Sequence, residues 1–199
     1  LSVRLRSALG PLVVAMACAV LSGCAGLPRD TDQATARPAR ASIREFAVDA
    51  RISVTRAGER AQARITWQHS AGPTEEIDVF SPVGSQMARL TVSPGGAQLD
   101  TAHDERVVAA TAEELSARIF GASLPLSGMA DWVLGRAAGK PVSVENDTLG
   151  RFAYLAEAGW VVRYLEYESD DATALPRTVE FERGDLRVRL HVDAWRDIK

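Results

Sequence analysis

One residue of this sequence carries a clear chemical mark, and it is a cysteine. Cys24 follows Leu21, Ser22 and Gly23, at the end of an apolar run that begins at Pro11 and is led by Arg4 and Arg6 with no acidic residue. A positive start, an apolar core of about a dozen residues and small residues at the cut describe a secretory signal peptide. The run is too short to span a bilayer, which takes about 20 apolar residues. Leucine, two small residues and cysteine in that order resemble the bacterial lipobox, in which the thiol is acylated and the chain is cut just before it. The expectation is lipidation at Cys24, with residues 1–23 as a lipoprotein signal peptide.

Other chemistry finds little support. Cleavage before Cys24 also removes Cys18, so a chain with two cysteines among its 199 residues would keep one cysteine, blocked by lipid. Cysteine nucleophiles, thiol redox work and cysteine-based metal sites are thereby excluded. His69 ends a strand beside a turn, His103 stands in a polar loop next to Asp104, and His191 falls on the charged face of a strand. Each reads as a solvated residue. There is no Gly-x-Ser-x-Gly and no His-Glu-x-x-His. The acid pairs Glu75-Glu76, Glu113-Glu114 and Asp170-Asp171 fall at turns or a helix start, where acids are ordinary. Pro94-Gly95-Gly96 lacks the lysine and following helix of a phosphate loop. The expectation is no enzyme, no catalytic residue, no metal and no cofactor. Loss of Arg4 and Arg6 takes the formal charge from −3 to −5, a poor balance for binding nucleic acid.

A lipid at Cys24 needs a body to hold. Ala25 to about Ser42 is Ala, Gly, Pro, Arg, Asp and Thr with almost nothing large and apolar, so residues 24–42 read as a lipidated cysteine and a flexible tether. A coil of that size spans about 25 Å. Residues 43–199 then form one domain. Phe46, Val48, Ala50, Ile52 and Val54 alternate with mostly polar neighbours, which predicts a half-buried strand. Similar alternation recurs at Ala63-Ile65-Trp67, around Ile77–Phe80, at Ala88-Leu90-Val92, and in short strands near Gln98 and Val107. Thr111 and Glu114 have capping-box spacing before Leu115, Ile119 and Phe120. Ser127 is placed to cap a second short helix carrying Met129, Trp132 and Val133. Strands resume from Arg151 to Leu155, at Trp160-Val162-Tyr164, from Pro176 through Glu180, and at Leu186-Val188-Leu190-Val192-Ala194. One face of nearly every strand is apolar and the other charged, which describes an antiparallel sheet curled around its apolar side.

The large side chains allow two readings. Trp67, Trp132 and Trp160, with Phe46, Phe120, Leu90 and Met87, exceed what a thin one-sided sheet needs. Either the two helices cap a compact core, or helices and sheet enclose an apolar pocket for a lipidic ligand. The stretch Ser81-Pro82-Val83-Gly84 is the other oddity. Val83 stands between Pro82 and Gly84 with nothing near it in sequence to pack on, so it either folds back onto the core or projects into solvent.

These pieces together resemble the LolB family, the outer-membrane lipoprotein acceptors of Gram-negative sorting. The resemblance runs from about Phe46 to Trp195. It rests on the lipobox and tether, Ile65-Thr66-Trp67-Gln68, Ser81-Pro82-Val83-Gly84, Leu124-Pro125-Leu126 before Asp131-Trp132-Val133-Leu134-Gly135, Gly159-Trp160-Val161-Val162-Arg163-Tyr164, and a basic strand into Asp193-Ala194-Trp195. The resemblance implies a mainly β fold, an incomplete antiparallel β-barrel whose short helices cover a hydrophobic cavity. It implies a monomer that takes acylated lipoprotein cargo from a soluble periplasmic carrier and inserts it into outer-membrane lipid. Strand parity and the family's tryptophan positions nominate Ile65, Trp67, Val79, Leu90, Trp132 and Trp160 as the acyl-chain cavity. The loop of Pro82, Val83 and Gly84 corresponds to the family's membrane-insertion loop, where a leucine matches Val83. Valine lacks one methylene, about 0.8 kcal/mol of apolar transfer. A reading of another class remains, in which a lipid-anchored scaffold with a solid core binds an envelope protein by its sheet.

Overall fold

The computed structural model describes residues 39–199, apart from 73, 121 and 122. Cys24, the signal peptide and the tether as far as Pro38 lie outside the described residues. Arg40–Ser42 form a single 3-10 turn, and the Arg40 guanidinium donates to the Ala172 carbonyl at 2.6 Å.

The described residues form eleven strands, ten of them where the sequence shows apolar residues in strand runs. They are β1 Phe46–Arg56, β2 Glu59–His69, β3 Glu75–Phe80, β4 Gln86–Ser93, β5 Gly96–Thr101, β6 Arg106–Ala109, β7 Ser143–Asn146, β8 Phe152–Glu157, β9 Trp160–Tyr167, β10 Pro176–Arg183 and β11 Leu186–Arg196. Two helices, α1 Ala112–Phe120 and α2 Leu126–Val133, interrupt them. All strands lie in one sheet, in the order β6-β5-β4-β3-β2-β1-β11-β10-β9-β8-β7, and each neighbouring pair is antiparallel. Two meanders are thus joined through β1 and β11. The free edges β6 and β7 are consecutive in the chain, and both helices lie in the segment between them. This is an incomplete barrel, open where β6 and β7 do not meet.

Helix α1 begins as its sequence requires. The Thr111 hydroxyl accepts from the Glu114 N–H at 3.1 Å, and the Glu114 carboxylate accepts from the Ala110 N–H at 3.0 Å and from Arg118. Helix α2 starts two residues earlier than a cap at Ser127 would place it, with Pro125 at the cap position. Strand β7 has no apolar alternation and all its residues are exposed, so periodicity gives no sign of it. The last strand also departs from simple alternation. Leu186, Val188, Leu190 and Val192 are buried as expected, but a bulge opposite Asp49 and Ala50 shifts the register. Beyond it Ala194 is exposed and Trp195 turns inward, 5.5 Å from Phe46 in an edge-to-face contact.

The outer face carries the charges. Arg187 and Arg163 flank Glu182, and Arg189 forks onto Glu180. The hydrogen bond from Arg163 holds the Glu182 carboxyl below its ordinary range. On the inner face β8, β9 and β10 are filled by Trp132, Trp160, Leu155, Val162 and Phe181, all essentially buried. Here Glu157 is the organising group. Its carboxylate accepts from the Trp132 indole at 2.6 Å, from the Ala138 N–H at 3.0 Å and from the Gly139 N–H. The Tyr164 hydroxyl then donates to the Trp132 carbonyl at 2.9 Å, so α2 is pinned to the sheet at both ends of one residue. Burial pushes the Tyr164 phenol far above its ordinary pKa, which keeps it a donor.

Glu157→Ala leaves three donors without their acceptor and is expected to cost about 3 kcal/mol of stability, read as a lower urea midpoint. Tyr164→Phe removes one bond and is expected to cost about 1 kcal/mol. Equal midpoints for the wild type and Glu157→Ala would show that this carboxylate does not hold α2.

Candidate functional site

The half of the concave face built by β1 to β5 is not filled. A cavity of about 370 Å³ lies between this part of the sheet, β10–β11 and the two helices. That is within the roughly 300–1,000 Å³ of small-molecule sites. Strand parity supplies the sheet wall. Ile65 pairs with Val79, Trp67 with Ile77, and Ile77 with Leu90, so all these side chains share one face. The α-helical spacing supplies the rest, with Leu115 and Ile119 from α1 and Leu126 and Met129 from α2.

Ile65, Trp67, Val79 and Leu90 stand on the cavity wall. Trp132 and Trp160 do not, and that part of the sequence expectation is corrected. Trp132 packs 6.3 Å from Trp160 and 6.2 Å from Phe181, and Phe181 is the residue that reaches the wall. The two indoles belong to the filled half of the core. Their apolar bulk is visible in sequence, but which half of the sheet it fills depends on long-range pairing.

The wall is apolar because its polar atoms are occupied elsewhere. The Trp67 indole donates to Glu75 at 2.7 Å, behind the cavity surface. The other Glu75 oxygen lies 2.6 Å from His69 Nδ1, and the His69 ring stacks on Phe46 at 5.0 Å. Neither residue is the solvated group that the sequence suggests: Glu75 is buried and His69 is half-buried. The Ser116 hydroxyl donates to the Glu113 carbonyl at 3.0 Å and accepts from the Leu124 N–H at 2.8 Å, so it offers the cavity no free donor. His191 meets the Thr178 hydroxyl at 2.9 Å on the outer face, and His103 is exposed.

Met87 shows what alternation misses. The β3–β4 register slips between Val79 and Phe80, so Ala88 pairs with Val79 while Gln86 pairs with Phe80. The unpaired Met87 turns to the cavity side although parity assigns it outward. It is 50% exposed and Ile119 is 39% exposed, so the apolar wall reaches the surface at β4 and α1.

The loop of Pro82, Val83 and Gly84 is the turn of this same hairpin. The Ser81 carbonyl accepts from the Gly84 N–H at 2.9 Å, the Ser85 carbonyl from the Ser81 N–H at 2.8 Å, and the Ser81 hydroxyl from the Ser85 N–H at 3.1 Å. Pro82 presets the turn and Gly84 takes φ +95°, which a side chain would strain. Val83 is 91% exposed at the tip. A tightly bonded turn therefore presents a branched apolar side chain to solvent, just before the strand that carries Met87.

A family model described as outer membrane lipoprotein LolB matches residues 44–195. An outer-membrane lipoprotein LolB of Azoarcus sp. (strain BH72) is 41% identical over 192 residues, covering 92% of this chain and 94% of that protein. One from Cupriavidus metallidurans is 37% identical over 145 residues, covering 68% and 71%. Among solved structures, a DUF1329 family protein from Desulfovibrio piger shares the fold, with a TM-score of 0.50 at 10% identity over 79% of this chain and 87% of that one.

Position on the wall separates two aromatic-sized changes. Leu90→Phe fills cavity space and is expected to weaken a fluorescent fatty-acid probe several-fold with small loss of stability. Trp132→Phe, behind the wall, is expected to leave the probe affinity unchanged while lowering the urea midpoint. The reverse pattern in a probe titration would place the ligand outside this cavity.

Proposed function

The chain belongs to the LolB family of outer-membrane lipoproteins, and we propose that its cavity receives the acyl chains of lipoproteins in transit. The observation that carries this reading is an apolar cavity against which the Trp67 indole N–H and the Ser116 hydroxyl are both bonded elsewhere. The protein is an outer-membrane lipoprotein acceptor. Its partners are a soluble periplasmic carrier, acylated cargo and outer-membrane lipid. It acts as a monomer and not as an enzyme. A scaffold with a solid core fits less well, because this core contains a void.

The physical need is simple. Burying an acyl chain yields about 0.8 kcal/mol per methylene, so a protein with several chains leaves a membrane or crosses water too slowly to be useful. A cavity that shields the chains removes that barrier. Transfer from carrier to acceptor needs no fuel if affinity rises along the route, since each 1.4 kcal/mol is tenfold. On this reading Ile65, Trp67, Val79 and Leu90 contact acyl chains. Met87 and Ile119 line the way in. Val83, on the same hairpin as Met87, touches the membrane where the chains are delivered. Cys24 is the lipidated anchor that keeps the body at that membrane.

Val83→Glu is expected to accept cargo from a loaded carrier normally and to lose incorporation of that cargo into liposomes, while Val83→Leu retains both. Normal incorporation by Val83→Glu would remove the tip from the mechanism. A chain lacking Cys24 is expected still to take cargo from the carrier, measured by cross-linking.

A further inference from the structure

The turn that carries Val83 lies against the outer face of the sheet. Its Gly84 borders a groove with Phe80 and Arg64, from β3 and β2, and with Asp49 and Asp193, from β1 and β11. Both acids of this groove are engaged. Arg51 donates twice to Asp193, at 2.8 and 3.0 Å. Asp49 accepts from Arg196 at 2.7 Å and from the Thr66 hydroxyl at 2.9 Å. Asp78, the next outward acid along β3, accepts from Arg89 at 2.6 Å and from Gln86 at 2.8 Å. Arg64 is the charge left over. It is exposed and has no hydrogen-bond or ion-pair partner among the described residues.

The register makes that arrangement costly. Arg64 stands directly opposite Arg51 across β1 and β2, and opposite Phe80 on β3. Like charges directly opposite each other destabilise a sheet. Asp193 offsets the charge of Arg51, but it sits on β11, on the far side of Arg51 from Arg64. A guanidinium held beside its like, with every nearby acid already bonded, is set for an anion from outside the chain.

The tip indicates which anion. Resting on the reading of Val83 as a membrane-touching tip, we infer that Arg64 binds the phosphate of a phospholipid headgroup and that the tip docks on a membrane surface containing anionic lipid. Even a single acyl chain binds a bilayer only marginally, and one valine side chain buries far less apolar surface. The tip therefore needs a second attraction, which a basic residue beside it supplies at an anionic surface. The long stem of arginine lets its guanidinium lie at the level of the phosphates while the neighbouring valine sits at the acyl boundary. Its planar fork matches two phosphate oxygens.

The test uses the lipidated full chain in vesicles of phosphatidylcholine, alone or mixed with phosphatidylglycerol, that carry a quencher on the lipid tails. A fluorophore at Ser85→Cys, an exposed position beside the tip, reports contact. The native chain is expected to be quenched more strongly with phosphatidylglycerol than without, and the excess is expected to fade as salt is raised. Arg64→Gln is expected to weaken contact with the mixed vesicles about fivefold, to the level of phosphatidylcholine alone. Its urea midpoint is expected to be no lower than that of the native chain, because a like-charge pair is relieved. Arg64→Lys is expected to keep most of the excess. Lys140→Gln, which removes one positive charge beside the Gly139–Glu157 contact at β8, is expected to keep all of it.

No quenching in either vesicle would overturn the reading of Val83, and this proposal with it. Quenching that is equal in the two vesicles, or that Arg64→Gln leaves unchanged, would leave that reading standing and overturn the role of Arg64. An equal loss in Lys140→Gln would reduce the effect to net charge, and a fallen midpoint in Arg64→Gln would assign the residue to the fold. Release of the tip by inorganic phosphate at constant ionic strength would make this a soluble-anion site. Each of these three results overturns the headgroup assignment.

Discussion

The structure depends on a mismatch between a long concave sheet and the short helices available to cover it. Strands β1, β2 and β11 each have 11 residues, about 36 Å of apolar face. Helices α1 and α2 have 9 and 8 residues, about 14 and 12 Å. A closed barrel would draw its walls together until side chains met. Here β6 and β7 stay apart and the segment between them must supply the cover. Two short helices cannot reach over the whole face. The space between the helices and the sheet that their side chains do not fill is the cavity.

A void of this kind survives only if nothing polar is left inside it, because an unpaired buried polar group costs about 1–3 kcal/mol. Two buried carboxylates meet that condition from opposite halves of the core. Glu75 takes the indole N–H of Trp67 on the wall side, and Glu157 takes that of Trp132 in the filled side. Each lets a tryptophan give its apolar ring to the interior while its polar atom is satisfied behind. The indole N–H of Trp160 finds no acceptor among the described residues, and Arg183 lies 5.8 Å from its ring.

Much of this was legible in residue order. The alternation Phe46-Val48-Ala50 and Leu186-Val188-Leu190 reports a one-sided strand directly, because each side chain's face is set by parity. Thr111 with Glu114 marks a helix start by a local hydrogen bond. The four wall residues Ile65, Trp67, Val79 and Leu90 came from the same parity together with the tryptophan positions that the family resemblance implies. A bulge, however, is invisible to parity. The bulge at Asp193 reverses the face of the residues beyond it, which misled the expectation for Ala194, and the one at Met87 inserts a residue and hid that side chain. Nor does parity report depth. Glu75 and His69 look like a turn beside a strand end, and only the packing of Phe46 against His69 and the reach of Trp67 show them to be interior. Trp132 and Trp160 fail for a third reason, since nothing local distinguishes the filled half of a sheet from the empty one.

The division between cavity and tip also explains why the turn is built so stiffly. A mobile loop carrying valine would lose on ordering much of what burying its small side chain yields, since fixing each backbone residue costs about 1–2 kcal/mol. Ser81, Pro82 and Gly84 fix the turn within the folded body through three short hydrogen bonds and a preset proline. The gain from Val83 is then not spent on ordering the loop. One methylene less than leucine, worth about 0.8 kcal/mol, is a small deficit against that saving. On the proposed reading it would make contact more readily reversible, which would suit a tip that releases the membrane between cargoes while a lipid at Cys24 did the holding.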